Sequence, residues 1–245
     1  MATDYDLIAK EYQASKLLPW RIEAEAYTFF KLLGDLHGLD VLDLACGEGF
    51  YTRQIKLHGA DSVVGVDISE GMIELALDQE TKNPLGLEYH IHDAITVDLN
   101  RKFDIVCACY FLNYAQTAGE LMNMGRAIAR HLKPGGRFVT INSNPVGRCT
   151  MESLFHYGFT REDKGNTEGS EIIYRLFNQD GSYIDVMNYH LEKSTHERIL
   201  SNAGLSEIQW HDLEVSLRGI QNHGEDYWIN LIRYQPVVGI TAVKV

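Results

Sequence analysis

One stretch restricts the fold of this chain more than any other: Val41-Leu-Asp-Leu-Ala-Cys-Gly-Glu-Gly-Phe-Tyr-Thr52. Its first four residues are apolar apart from Asp43, as in a strand covered on both faces. Gly47 and Gly49 break the strand and permit a tight turn through positive φ. Phe50 to Leu57 then has helical spacing. Buried strand, glycine turn and helix, in that order, open a nucleotide-binding βαβ unit. Its turn brings backbone N–H groups and the start of a helix up to a ligand, with little side-chain bulk between.

The loop narrows the ligand. A dinucleotide loop reads G-x-G-x-x-G, but the third glycine here is Thr52, and no Gly-Lys-Ser/Thr of a P-loop follows. What remains is Asp43-x-Ala45-x-Gly47-x-Gly49. The second strand, Ser62 to Asp67, ends in an acid 18 residues after Gly49. That is close to the ~20-residue spacing at which a carboxylate meets ribose hydroxyls. A carboxylate accepts from both hydroxyls of a free ribose, so the acid indicates an unphosphorylated one. Ser69 caps the next helix, which runs through Leu77. The third strand, Leu87 to His92, is ended by Asp93-Ala94, and the fourth, Phe103 to Cys109, runs into Tyr110-Phe-Leu-Asn-Tyr114. The fourth strand sits beside the first, where strand order reverses and ligands of open α/β sheets bind. Thr117 to Leu132 is an amphipathic helix, closed by Lys133-Pro-Gly-Gly136, which launches the fifth strand, Arg137 to Ile141.

Over residues 39–141 these elements stand in continuous order, and the chain resembles the class I S-adenosylmethionine (SAM) dependent methyltransferases of the small-molecule kind. The resemblance is carried by the Asp43-x-Ala45-x-Gly47-x-Gly49 loop, by Asp67, by Asp93-Ala94 and by Leu-Lys-Pro-Gly-Gly before a strand. The family often has glycine where Ala45 stands. The resemblance implies SAM as cofactor and S-adenosylhomocysteine (SAH) as its product. Asp43, Ala45, Cys46, Gly47 and Gly49 then form the loop, where an acid can serve the ammonium of SAM. Ile68 and Met72 hold the two faces of the adenine, with plain core as the alternative for Met72. Asp93 accepts from the adenine amino group, and the Ala94 N–H meets a ring nitrogen. Cys109, Tyr110, Asn113 and Tyr114 face the reacting methyl group. In the family an N-terminal helical segment folds over the pocket; Tyr12 and Trp20 line that lid or pack a helix on the sheet. Asn/Asp-Pro-Pro-Tyr, the motif of methyltransferases acting on DNA adenine or glutamine, is absent. Leu-Asp-Leu-Ala-Cys-Gly-Glu-Gly and Tyr-Phe-Leu-Asn-Tyr-Ala look closest to bacterial natural-product enzymes, such as the group acting on azapteridines like toxoflavin.

The expected fold is α/β, Rossmann-like: a seven-stranded, mostly parallel sheet with an antiparallel last strand, a β-hairpin cap and an N-terminal helical lid. One domain covers residues 1–245: lid 1–35, SAM-binding core 36–141, substrate cap 142–192, and the rest of the core 193–245. Glu162 to Gly169 reads as polar loop. Glu171 to Phe177 and Ser182 to Tyr189 flank Asn178-Gln-Asp-Gly181 as a hairpin. A helix over Ser194 to Ala203, a strand over Leu205 to Val215, a short helix over Asp226 to Tyr234 and the last strand, Val237 to Val243, complete the chain. The sulfonium of SAM is already a strong electrophile, so a general base is not presumed. Tyr110, Tyr114 and His156 are the catalytic candidates, for orientation or proton transfer, with pocket wall as the alternative. The expected reaction is in-line methyl transfer to nitrogen or oxygen of a small aromatic or heteroaromatic metabolite. The alternatives are a SAM or nucleotide binder without catalysis, a Rossmann oxidoreductase, which Thr52 disfavours, and a protein or nucleic-acid methyltransferase.

A net charge of −12 argues against general affinity for nucleic acid. No apolar run approaches the ~20 residues that span a bilayer, and Met1 to Lys10 lacks the apolar core of a secretory signal. Cys46, Cys107, Cys109 and Cys149 have neither zinc spacing nor a disulfide-dense context and read as reduced thiols of a cytoplasmic protein. His90 and His92 share a sheet face but have no further ligand at metal spacing, so no metal site is expected. The sequence does not indicate an oligomeric state.

Overall fold

The computed structural model describes Gln13 and residues 15–147, 154–178 and 181–245. A π-helical turn, Arg21–Ala26, leads into α1 (Tyr27–Leu33). Then come β1 (Asp40–Leu44), α2 (Phe50–Leu57), β2 (Ser62–Asp67), α3 (Glu70–Lys82), β3 (Glu88–Ile91) and β4 (Phe103–Cys107). A 3-10 turn, Leu112–Tyr114, precedes α4 (Ala118–His131) and β5 (Leu132–Ser143). A second 3-10 turn, Phe155–Tyr157, opens a segment of three strands, β6 (Phe159–Asp163), β7 (Glu171–Phe177) and β8 (Tyr183–Tyr189). The chain closes with α5 (Lys193–Asn202), β9 (Leu205–His211), α6 (Leu217–His223), α7 (Glu225–Tyr234) and β10 (Val237–Lys244).

The main sheet has the order β3-β2-β1-β4-β5-β10-β9. The first five strands pair in parallel, and β10 lies antiparallel between β5 and β9. β1 therefore has β2 on one side and β4 on the other, and strand order reverses there as expected. Period-two alternation buries both faces. Val41, Val63, Ile105 and Cys107 enter one core layer, while Leu42, Leu44, Val64, Val66 and Val106 enter the other.

Ser69 caps α3 by accepting from the Met72 N–H at 3.1 Å, and Thr117 caps α4 with a reciprocal bond from Glu120. Three expectations differ from what is observed. The Lys-Pro-Gly-Gly stretch does not separate helix from strand: α4 ends at His131, β5 begins at Leu132, and Lys133 to Gly136 fills an irregularity between the Phe103–Leu132 and Ile105–Arg137 pairs. The cap is a three-stranded antiparallel sheet rather than a hairpin, because Phe159–Asp163 adds a strand to β7. Arg161 hides it, a charged residue only 2 % exposed whose guanidinium donates to the carbonyls of Asn144 and Pro236 at 3.0 and 3.1 Å. The strand expected over Leu205 to Val215 stops at His211, and helix α6 follows, capped by Ser216 on the Gly219 N–H.

Candidate functional site

Between β1 and α2 the backbone turns left-handed three times within five residues, at Ala45 (φ +55°), Gly47 (+56°) and Gly49 (+80°). Ala45 thus holds the conformation that a glycine would adopt more readily. The loop hangs on β2: the Cys46 N–H donates to the Val66 carbonyl at 3.0 Å. A Cβ on Gly49 would stand 2.4 Å from the Tyr89 hydroxyl, so α2 can start this close to β3 only from a glycine. That hydroxyl is buried with no hydrogen-bond partner among the described residues. Tyr89→Phe should therefore raise the free energy of unfolding by about 1 kcal/mol, the lower end of the cost of an unmet buried polar group. Urea denaturation checks this, and a lower midpoint would contradict it.

Asp67 clasps the loop. One carboxylate oxygen accepts from the Gly47 N–H at 2.8 Å and the other from the Ser69 N–H at 2.9 Å. Its main-chain oxygen accepts from the His92 N–H at 2.9 Å, which tethers the end of β3. Behind the loop, Asp43 is 2 % exposed and accepts from the Thr52 hydroxyl at 2.7 Å. Burial pushes its carboxyl up to about 7, with Asp67 and Glu48 adding to the rise and Thr52 and Lys16 opposing it. Glu48 is buried too. One of its carboxylate oxygens has no partner among the described residues, and burial raises its pKa.

Sequence reasoning missed a second cluster that joins these acids to the N-terminal segment. Lys16 is buried, with its ammonium 5.1 Å from the centre of the Tyr51 ring and 5.7 Å from that of Tyr110. Glu25 is fully buried and accepts from Arg21 Nη1 at 2.9 and 3.1 Å, from the Tyr51 hydroxyl at 2.5 Å, and from the Tyr110 hydroxyl. Burial pushes its carboxyl up, yet Arg21, Lys16, Tyr110 and Tyr51 together outweigh that and hold it below its ordinary value. The signal lay in Arg21 and Glu25, opposite charges four apart among alanines and aromatics.

The other expected ligand residues are spread around this loop. Ile68, at the end of β2, is 70 % exposed, whereas Met72 is buried, its Sδ 3.9 Å from where a Gly47 Cβ would stand, in the packed layer beneath the loop. Asp93 accepts the Ile95 N–H at 2.7 Å, with Ala94 buried beside it. Cys46, Cys107 and Cys109 are free thiols whose pKa values burial pushes up. Tyr12 and Cys149 lie outside the described residues.

Past β4, Tyr110 takes φ +60° and its N–H donates to the Ile141 carbonyl at 2.7 Å. This turn helps to wall a small cavity of about 30 Å³ between the carboxyl edge of the sheet and the cap. Trp20, Tyr110, Asn113 and Tyr114 line the core side, and Phe159 and Asn188 belong to the cap side. The structure does not bring His156 into this lining. Its ring packs on Tyr157 and Tyr227, and Nε2 lies 3.2 Å from the Tyr227 carbonyl, because the Phe155–Tyr157 turn docks on α7.

Comparison with known proteins agrees with this geometry. Residues 41–136 match the sequence model of a methyltransferase domain. A dTDP-4-amino-2,3,4,6-tetradeoxy-D-glucose N,N-dimethyltransferase of Saccharopolyspora spinosa is 35 % identical over 97 residues, covering 39 % of this chain and 37 % of the relative. A ubiquinone biosynthesis O-methyltransferase of Coxiella burnetii is 34 % identical over 143 residues, covering 57 % and 59 %. The chain thus spans between about a third and three fifths of the length of these two relatives. Among solved structures, a SAM-dependent methyltransferase of Clostridium acetobutylicum superposes with a TM-score of 0.67 over 99 % of both chains at 18 % identity, a likeness of fold. Residues 41–136 thus resemble a methyltransferase domain in sequence, and the chain shares the fold of a solved SAM-dependent methyltransferase.

Proposed function

We propose that this protein transfers the methyl group of SAM to a nitrogen or oxygen of a small aromatic or heteroaromatic molecule. One observation carries the reading. Two buried acids, Asp43 and Glu48, stand at the glycine loop, one with its carboxyl pushed up to about 7 and the other with an unpartnered oxygen. Such a site calls for a cation and repels a phosphate. The ammonium end of SAM meets that demand, and its unphosphorylated ribose suits Asp67 at the end of β2. Asp93 and Ala94 then serve the adenine edge, with Ile68 over one face. When bound, SAM supplies an electrophilic methyl group on a sulfonium.

The chain's own part is to hold the acceptor in line and to keep water out. Tyr110, fixed by Glu25, and Tyr114 form one wall past the end of β4, and the cap closes the other side. The named relatives act on a sugar amine and in ubiquinone O-methylation, which supports small acceptors and leaves both atoms in play. The acidic balance of the chain favours such acceptors over nucleic acid. Among the described residues no helix is long and apolar enough to cross a membrane.

The reading predicts a pH dependence. In the ligand-free protein Asp43 titrates near 7, above its unfolded value. Its contribution to ligand-free stability is therefore full below the ordinary carboxylate range and is lost as pH rises through about 7. A bound cation favours the ionised acid, so SAM affinity should rise with pH, about tenfold from pH 6 to 8 by linkage. Calorimetry in buffers of different ionisation enthalpy should show proton release at pH 6, and Asp43→Asn should flatten the profile. The function itself is tested by SAH binding and by transfer of labelled methyl from SAM to small heteroaromatics. Failure of SAH to bind near neutral pH would end the reading.

A further inference from the structure

Helix α7 buries one side and leaves another bare. Trp228 and Leu231 are buried in the core, and the Trp228 indole N–H donates to the Gly219 carbonyl of α6 at 3.1 Å. The Leu231 N–H donates to the Tyr157 hydroxyl at 3.1 Å, so the cap turn is seated on the same helix. Away from the core, Ile229 is 53 % exposed and Ile232 is 42 % exposed. Both border an open groove of about 330 Å³ between α6 and α7, lined otherwise by Val215, Ile220, Glu225 and Trp228. Leu217 of α6 is 77 % exposed. Exposed apolar side chains are ordinary one at a time, but gathered around a groove they mark a contact surface.

The charges indicate what covers it. Residues four apart share a helical face, so Glu225, Ile229 and Arg233 form one row along α7. Asp226 and Ile232 flank that row, three residues before and after Ile229. Acid thus precedes the isoleucines and base follows them. Glu225, Asp226 and Arg233 make no ion pair among the described residues. The helix dipole accounts for an acidic first turn and a basic last turn, but not for isoleucines left in water between them. A row in this order is complementary to itself run backwards. A second copy laid antiparallel brings Ile229 against Ile229 at the centre and Arg233 against the acidic turn at both ends. A two-fold axis makes every such contact twice.

We propose that this face of α7 is the interface of a two-fold symmetric homodimer in which the two α7 helices pair antiparallel about Ile229. The groove beside α6 then takes an isoleucine of the other protomer and removes it from water. Since the inner side of α7 seats the cap turn, the dimer contact backs the helix on which the cap rests.

Sedimentation velocity on the full chain tests this. The wild type should sediment with twice the mass of the chain at micromolar concentrations. Ile229→Glu sets two carboxylates together at the two-fold axis and should raise the dissociation constant at least about thirtyfold, the scale of an interface hot spot. The exposed site tolerates the change, and an unaltered far-UV spectrum would verify the fold. The register has its own test. Asp226→Arg and Arg233→Asp should each raise the dissociation constant about tenfold by facing like charges. Their combination in one chain should return it to within about threefold of the wild type, because the two-fold axis pairs the exchanged charges again. A chain that stays monomeric throughout the micromolar range, or a dimer indifferent to Ile229→Glu, overturns the proposal. So does a monomer that binds phosphatidylcholine vesicles through Ile229, which would make this face a membrane contact. Failure of the double exchange to restore the dimer overturns the antiparallel pairing.

Discussion

Glu25→Ala should cost about 3–5 kcal/mol of stability, the usual penalty for removing one member of a buried ion pair. Glu25 is fully buried and answers a buried guanidinium and two phenols, none of which water can serve in its place. Its pKa is held below the ordinary value. The stabilisation is therefore present above the ordinary carboxylate range and is lost as pH falls through the depressed value. Urea unfolding of the variant should show a much lower midpoint at neutral pH, with the difference narrowing in acid. Exchanging Arg21 and Glu25 together for leucine should recover much of the stability, because an apolar pair avoids the desolvation cost. On the proposed function, the double variant should still transfer methyl poorly, since Tyr110 loses the carboxylate that holds its hydroxyl. A single variant as stable as the wild type would show that the cluster is not buried as described.

Asp67→Ala should weaken SAH binding by roughly 1.5–3 kcal/mol, the scale of a charge-assisted hydrogen bond. From its place at a strand end one would expect folding to survive untouched. The geometry says otherwise, because the carboxylate holds the N–H groups of Gly47 and Ser69. The variant should also unfold about 2 kcal/mol more easily, as two backbone donors lose a charged acceptor. Asp67→Asn keeps one acceptor oxygen and should fall between. Calorimetry and denaturation on the same samples separate the two effects. Undiminished SAH affinity would remove Asp67 from the cofactor site and leave it as a loop clasp alone.

What the sequence disclosed follows from what its patterns encode. β2 falls at Ser62–Asp67 as read, because a β-branched run ended by an acid leaves little freedom. The glycine loop was legible because left-handed turns favour particular residues. The third cap strand was hidden by Arg161, whose guanidinium pairs with Asp163 and donates to carbonyls that only the folded chain brings to it. Glu25 was hidden for the same reason: beside Arg21 it looks like an exposed helix pair, and its phenolic partners lie 26 and 85 residues away. His156 could not be placed because its neighbour Tyr227 is 71 residues distant, a contact that no local periodicity records.

The way the cap is fastened bears on how such a protein can change. Arg161 and Tyr174 of the cap grip the carbonyls of Asn144 and Pro236, and Tyr174 also meets the Ser143 hydroxyl at 2.9 Å. A main-chain carbonyl is present whatever residue carries it, so these anchors ask little of the core's side chains. The match to the methyltransferase domain ends at residue 136, before any of them. Cap and cofactor half are thus joined like a tool and its handle. A cap from a relative that keeps an arginine and a tyrosine at the corresponding places should seat on this core and bring its own acceptor preference, leaving the glycine loop undisturbed.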